Sequence, residues 1–269
     1  MEQFNAVAFD LESETEVQEP FGSLLLALVI PTRNEVDALA LLFPRLLAAL
    51  DGISAEVVFV DDSDDETPVR IAELGARPGL PFPIRLIHRE PGQRSGGLST
   101  AVLEGFRVSR ARWVCVMDAD LQHPPEMIAP LLSTAQRRFA DVVVASRYCQ
   151  DGASDLSFGR HLVSLLSTRI ASRLFPERLH AVSDPMSGFF VVRRSALAVR
   201  ALRPNGFKIL MEILVRSPQL RIIEVPFSMG ERNAGESKGS LSEGMRFVEH
   251  LLRLRVATMT SRDRLDTRR

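Results

Sequence analysis

Short runs rich in Val, Ile and Leu recur along this chain at Leu24–Ile30, Glu56–Asp61, Ile84–His88, Trp113–Asp118 and Asp141–Ser146, with amphipathic, helix-patterned segments between them. Each run is too short to stand as a helix and too apolar to face water on one side. Strands of that kind, alternating with helices, need crossover connections, which are right-handed and cover both faces of the sheet. The expected fold is α/β and Rossmann-like, a mainly parallel sheet flanked by helices. Helix starts are marked by Thr67-Pro68, a capping residue before a proline, and by Pro124-Pro125 with Glu126 in the first turn. Pro44 interrupts the helical pattern of Val36–Leu50 and predicts a kink or break. Past Ser146 the pattern gives a long helix at Phe158–Phe175, an apolar run at Phe189–Val192, a helix at Lys208–Val215 and a strand at Leu220–Val225.

A length of 269 residues suits one large domain with appendages. The boundaries read as an acidic, poorly ordered tail at 1–22, the domain proper at 23–240, and a basic amphipathic helix and tail at 241–269. Charge is unevenly placed. The first 32 residues hold six acids and no Lys or Arg, whereas seven arginines oppose three acids from Arg246 to Arg269. A net charge of −1 argues against general nucleic-acid binding. Cys115 and Cys149 offer neither a disulfide framework nor metal-ligand spacing, which fits a cytoplasmic protein. The longest uncharged apolar run, Phe21–Thr32, falls short of the roughly 18 residues that span a bilayer. The final helix gathers Leu241, Met245, Val248, Leu252 and Val256 on one face, with arginines over much of the rest. That face suits a membrane surface, the sheet, or a second copy of the chain in a homo-oligomer.

The predicted strands end in acids. "VVFVDDSDDE" ends in Asp61 and Asp62, and "VCVMDADLQ" in Asp118 and Asp120. In open α/β sheets ligands bind outside the carboxyl ends of the strands. Residues two apart on an extended segment point the same way, about 6–7 Å apart. Asp118 and Asp120 so placed repel each other, and a divalent cation resolves the conflict. Hard oxygens, the Gln122 carbonyl included, suit Mg²⁺ or Mn²⁺ rather than zinc, with His123 a softer neighbour. Such an ion completes its shell with phosphate oxygens and water, so the expected ligand is a nucleoside diphosphate derivative. Neither a P-loop nor a dinucleotide glycine fingerprint follows the first strand. Asp64, Asp65 and Glu66 read as a solvated helix start.

Taken together, "LVIPTRNE", "VVFVDDSDDET", "MDADLQHPPEM", "DVVVASRY", "DPMSGFFVVRRS", "GFKILMEIL" and "ERNAGESKGS" resemble the family 2 glycosyltransferases with a GT-A fold, in particular the polyprenol-phosphate (dolichol-phosphate) mannose synthases. The resemblance implies that Asp118, Asp120 and Gln122 hold the metal. It implies nucleotide contacts from Pro31, Arg33, Glu35 and Asp61, with Asp62 beside them. Arg147, Ser187, Arg232, Ser237 and Lys238 fall where such enzymes handle the donor's phosphates and the lipid phosphate. Two features depart from the pattern: "QRSGGLSTA" replaces the usual Lys-containing stretch, which leaves Arg94 as the candidate donor-binding residue there, and the membrane-spanning helices of many members are missing.

The implied reaction carries a hexose, mannose from GDP-mannose first, to polyprenyl phosphate on the cytoplasmic side of a membrane. A separate membrane-spanning partner would serve where the chain lacks an anchor. A phosphate monoester is already anionic at neutral pH, so no general base is needed, and direct attack inverts the anomeric centre. Arginine grips phosphate through two parallel hydrogen bonds and lysine acts as a compact charge, which suits Arg147, Arg232 and Lys238. The competing readings are a UDP-glucose-dependent glucosyltransferase, an Asp-x-Asp phosphohydrolase, a nucleotidyltransferase and a non-catalytic nucleotide-sugar binder.

Overall fold

A computed structural model describes residues 24–148, 169–179, 182–206, 208–230, 249 and 251–256. Its sheet is built from β1 (Leu26–Thr32), β2 (Ala55–Asp61), β3 (Ile84–His88), β4 (Trp113–Val116), β5 (Val142–Ser146), β6 (Phe190–Arg193) and β7 (Ile222–Pro226). The strand order is β3-β2-β1-β4-β6-β5-β7. Only β6 runs antiparallel to its neighbours β4 and β5; the remaining pairs are parallel. The chain adds β2 and β3 on one side of β1, then returns to add β4 on the other. This reversal opens a crevice outside the carboxyl ends of β1 and β4, where doubly wound sheets take their ligands.

Helices cover both faces, which is why β1, β2, β4 and β5 are buried along their whole length. Leu26, Leu28 and Ile30 of β1 point to one core, with α1 (Val36–Ala49), α2 (Thr67–Gly75) and α4 (Ile128–Arg137). Val29 points to the other, with α3 (Gly97–Val108) and α5 (Ile209–Arg216). The buried Leu251 and Leu254, from helical residues 251–256, join this second core with Phe175 and Leu179.

Three local expectations change. Helix α1 runs on through Pro44, because Leu39, Leu42, Phe43 and Leu46 clamp both sides of it onto the sheet. Thr67 opens α2 from within: no side chain caps that helix, and the Thr67 hydroxyl instead accepts the Glu35 amide at 3.0 Å. The fourth strand stops at Val116, short of Asp118. The tail at 1–22, most of the Phe158–Phe175 stretch and most of the terminal helix lie outside the described residues.

Candidate functional site

The loops after β1 and β2 are sewn together. Asn34, in the left-handed conformation at φ 55°, accepts the Asp64 amide at 2.9 Å, and its own amide donates to Ser63 Oγ at 2.8 Å. Pro31 is buried at the end of β1, Arg33 is exposed and Glu35 half-buried just beyond it. Asp61 is fully buried and accepts from Thr32 Oγ1 at 2.7 Å, from Ser63 Oγ at 2.5 Å and from His88 Nδ1 at 2.7 Å. Facing a carboxylate, that imidazole nitrogen carries a proton and donates it. Sequence reasoning misses this Asp–His pair, whose members lie 27 positions apart.

Asp62 closes a bidentate pair with Arg89, at 2.7 Å to Nε and 2.5 Å to Nη2. Arg94 is similarly occupied: Nε donates to the Arg89 carbonyl at 2.8 Å, Nη2 to the Ser63 carbonyl at 2.8 Å and Nη1 to Asp64 at 2.5 Å. Arg94 thereby pins the segment after β3 to the loop after β2. Its guanidinium also holds the Asp64 carboxyl below the usual carboxylate range, so Asp64 is an ion-pair partner rather than a merely solvated acid.

The two acids after β4 sit on a turn, not on an extended strand. Leu121 takes a left-handed φ of 66°, and Asp120 Oδ1 accepts the Gln122 amide at 3.1 Å. Asp118 has a side chain 37% exposed, while Asp120 is buried. The Asp118 amide, which a longer strand would have given to a neighbour, donates to His123 Nδ1 at 2.9 Å. Gly188 leaves room in front: a Cβ there would stand 3.4 Å from Asp118 Oδ2 and 3.1 Å from His123 Cε1. The Gln122 main-chain carbonyl accepts the Gly230 amide at 3.0 Å. Among the described residues, no three His, Cys, Asp or Glu side chains converge as a metal cage.

His123 is a buried positioning residue. It stacks on Phe189 with centroids 5.1 Å apart and meets the edge of Phe227 at 6.1 Å. Burial in this aromatic setting lowers its pKa to about 4, against an opposing pull from Asp120. The ring is therefore neutral near pH 7, with its proton on Nε2. The unfolded chain takes up this proton near pH 6.5, so between about 6.5 and 4 the unfolded state binds more protons. Stability is fully present above that window and is lost as pH falls through it. A thermal-melting series from pH 8 to 4 should show a downward slope below about pH 6.5 that flattens in His123→Gln. Parallel curves for the two proteins would contradict the assignment.

Arg147 and Ser187 are held by the protein itself. Arg147 donates Nε and Nη2 to the fully buried Asp184, at 2.7 and 2.8 Å. Asp184 and Ser183 are anchored by Glu224 of β7, which accepts both amides at 3.0 and 2.8 Å. The Ser187 hydroxyl is buried against the Ala145 carbonyl at 2.8 Å and the Phe189 amide at 3.1 Å, locking the turn before β6. The phosphate role implied by the sequence would have to compete with these bonds. Arg232, Ser237 and Lys238 lie outside the described residues.

The profile of the family described as Glycosyl transferase family 2 matches residues 27–200. The chain belongs to that family. This glycosyltransferase is 38% identical over 230 residues to the dolichol-phosphate mannosyltransferase of Pyrococcus furiosus, covering 85% of the chain but 63% of that relative. It is 32% identical over 245 residues to the dolichol-phosphate mannosyltransferase of Saccharomyces cerevisiae, covering 87% of the chain and 88% of the relative. The mannosyl-3-phosphoglycerate synthase of Rubrobacter xylanophilus superposes with a TM-score of 0.64 at 19% identity, over 90% of this chain and 76% of that one. Glucosyl-3-phosphoglycerate synthase of Mycobacterium tuberculosis, in a complex with Mn²⁺ and UDP-glucose, gives 0.65 at 18%, over 86% and 80%. These two structures establish the GT-A fold alone. Family membership sets the phosphohydrolase and nucleotidyltransferase readings aside.

Proposed function

We propose that this glycosyltransferase moves a hexose, mannose before glucose, from a nucleotide diphosphate sugar to the terminal phosphate of a polyprenol. GDP-mannose stands before UDP-glucose as donor, and inversion is expected at C1. The observation that carries the reading is the turn after β4. It presents a half-exposed carboxylate, Asp118, beside a buried one, Asp120, at the reversal of strand order. The names of the relatives in Pyrococcus and yeast support the acceptor class.

The donor set fits a hard divalent ion, Mg²⁺ or Mn²⁺: only oxygens are offered, few of them, with the space before Asp118 kept open at Gly188. Asp118, Asp120 and Gln122 would hold it. When bound, such an ion neutralises charge on the departing diphosphate. The other tasks fall to the chain's own groups. His123 fixes the Asp118 amide and with it the direction of the carboxylate. Pro31, Arg33 and Glu35 border the nucleotide from the β1 end, and Asp61 acts through the His88 ring. No base is assigned to the acceptor, whose phosphate monoester is already anionic; Arg232 and Lys238 are given the task of holding it.

The acceptor's tail lies in a bilayer, so a membrane-facing surface is part of the proposal. Leu251 and Leu254 pack inward, while Leu252 and Val256 remain 59% and 62% exposed, with Arg253 and Arg255 between them. No helix among the described residues is long and apolar enough to cross a membrane. Incubation with Mn²⁺, labelled GDP-mannose or UDP-glucose, and polyprenyl phosphate in vesicles should give labelled lipid with one donor well above the other. Leu252→Glu/Val256→Glu should lose the vesicle-borne acceptor and keep a short, soluble one. Release of free sugar with no labelled lipid from either donor would refute the proposal.

A further inference from the structure

We propose that the acidic N-terminal segment of this chain, centred on residues 9–16, docks in a groove along the side of α3. The groove encloses about 1100 Å³ between β3, α3 and residues 199–204. Its floor is apolar, from Ile87, Leu103, Val199 and Leu202, and the exposed Arg107, Arg200 and Arg203 stand around it. Arg107 is offset by Glu104 at 3.0 Å. Among the described residues, Arg203 Nη1 donates to the main-chain carbonyls of Arg200 and Leu202, at 2.6 and 2.8 Å, which leave its charge uncancelled. The groove thus combines an apolar strip with polar lining and an excess of guanidinium at its rim. Its complement is an extended strip that alternates apolar and acidic residues.

The chain carries such a strip. Phe9-Asp10-Leu11-Glu12 alternates strictly, and Glu14 and Glu16 continue the acids. In an extended backbone successive side chains point to opposite sides. An extended strip would set Phe9 and Leu11 on one side, for the apolar lining, and leave Asp10 and Glu12 on the other within reach of the long arginine side chains. The tether reaches. The Leu24 carbonyl accepts the Arg112 amide at 3.2 Å, just beyond the end of α3 where Arg107 lies. Residues 17–23 extend to about 25 Å, against roughly 18 Å for the whole length of α3. Tethering raises the local concentration of the segment to about the millimolar range, an advantage no free ligand shares. The upper end of the groove is formed by His88 and Arg89, the partners of Asp61 and Asp62, so docking and donor binding meet at the same edge.

The test uses the full chain with a photo-crosslinking phenylalanine analogue at position 9. Irradiation should join it, within one chain, to peptides from 87–107 or 199–204. The yield should fall several-fold in Arg200→Glu/Arg203→Glu, and likewise at 1 M NaCl, where the screening length is about 3 Å. Adding Asp10→Lys/Glu12→Lys to the reversed rim should restore it. Both arginines are exposed, and a melting curve checks that each variant folds. Crosslinks elsewhere, crosslinks between chains, or yields indifferent to charge reversal would overturn the proposal. So would loss of short-chain prenyl phosphate binding in the reversed rim with crosslinking unchanged, since the groove would then belong to a lipid.

Discussion

Asp118→Asn should lower hexose transfer by roughly 10²–10³-fold, the range found when one preorganised charge-stabilising group is removed from an active site. The fold should survive: the side chain is 37% exposed, and its amide bond to His123 belongs to the backbone. The melting temperature should therefore move by no more than about 2 °C. Asp120→Asn is the sharper companion, because asparagine keeps the oxygen that accepts the Gln122 amide and loses only the charge. The turn should persist while activity falls with it. Titrating each variant with Mn²⁺ and following the spin-resonance signal of the free ion separates the metal from the chemistry. Retained affinity together with lost turnover would move these carboxylates away from the metal; retained turnover in both would end the transferase reading of this turn.

Much of this site is legible because its chemistry is local in sequence. The strands declare themselves by length and apolarity, and the acids at their ends by the jump from Val and Met to Asp. What the sequence conceals is what side chains do across the sheet. His88 ends β3 as one more polar residue, and only the parallel register of β2 with β3, which sets Asp61 opposite it, reveals the pair. The reading of Asp118 and Asp120 as residues on a strand fails for an equally local reason. A left-handed Leu121 and a His123 ring that takes the Asp118 amide curl the chain two residues early. Leucine is a poor indicator of positive φ, so nothing in its identity announces the turn. The buried Asp184 and the half-buried Glu224 escape because such carboxylates look like surface ones until their partners are placed.

Arg147→Met should be the most destabilising single change among the predicted site residues. Its partner Asp184 is fully buried, and breaking such a pair from one side leaves an uncompensated charge, at about 3–5 kcal/mol. For a domain of this size that amounts to a fall of roughly 10 °C in melting temperature. Converting the partner as well, in Arg147→Met/Asp184→Asn, removes the stranded charge and should recover much of the loss. The new side-chain carbonyl would still accept the main-chain amide that Asp184 accepts from Arg147 at 3.2 Å. Activity then decides between two roles for the arginine that stability alone does not separate. A guanidinium that grips phosphate in the reaction is missing from the double variant however well it folds, so transfer stays low with KM for the phosphate substrate raised. A guanidinium that only ties the end of β5 to the turn before β6 is dispensable once that turn is held, and transfer returns with stability.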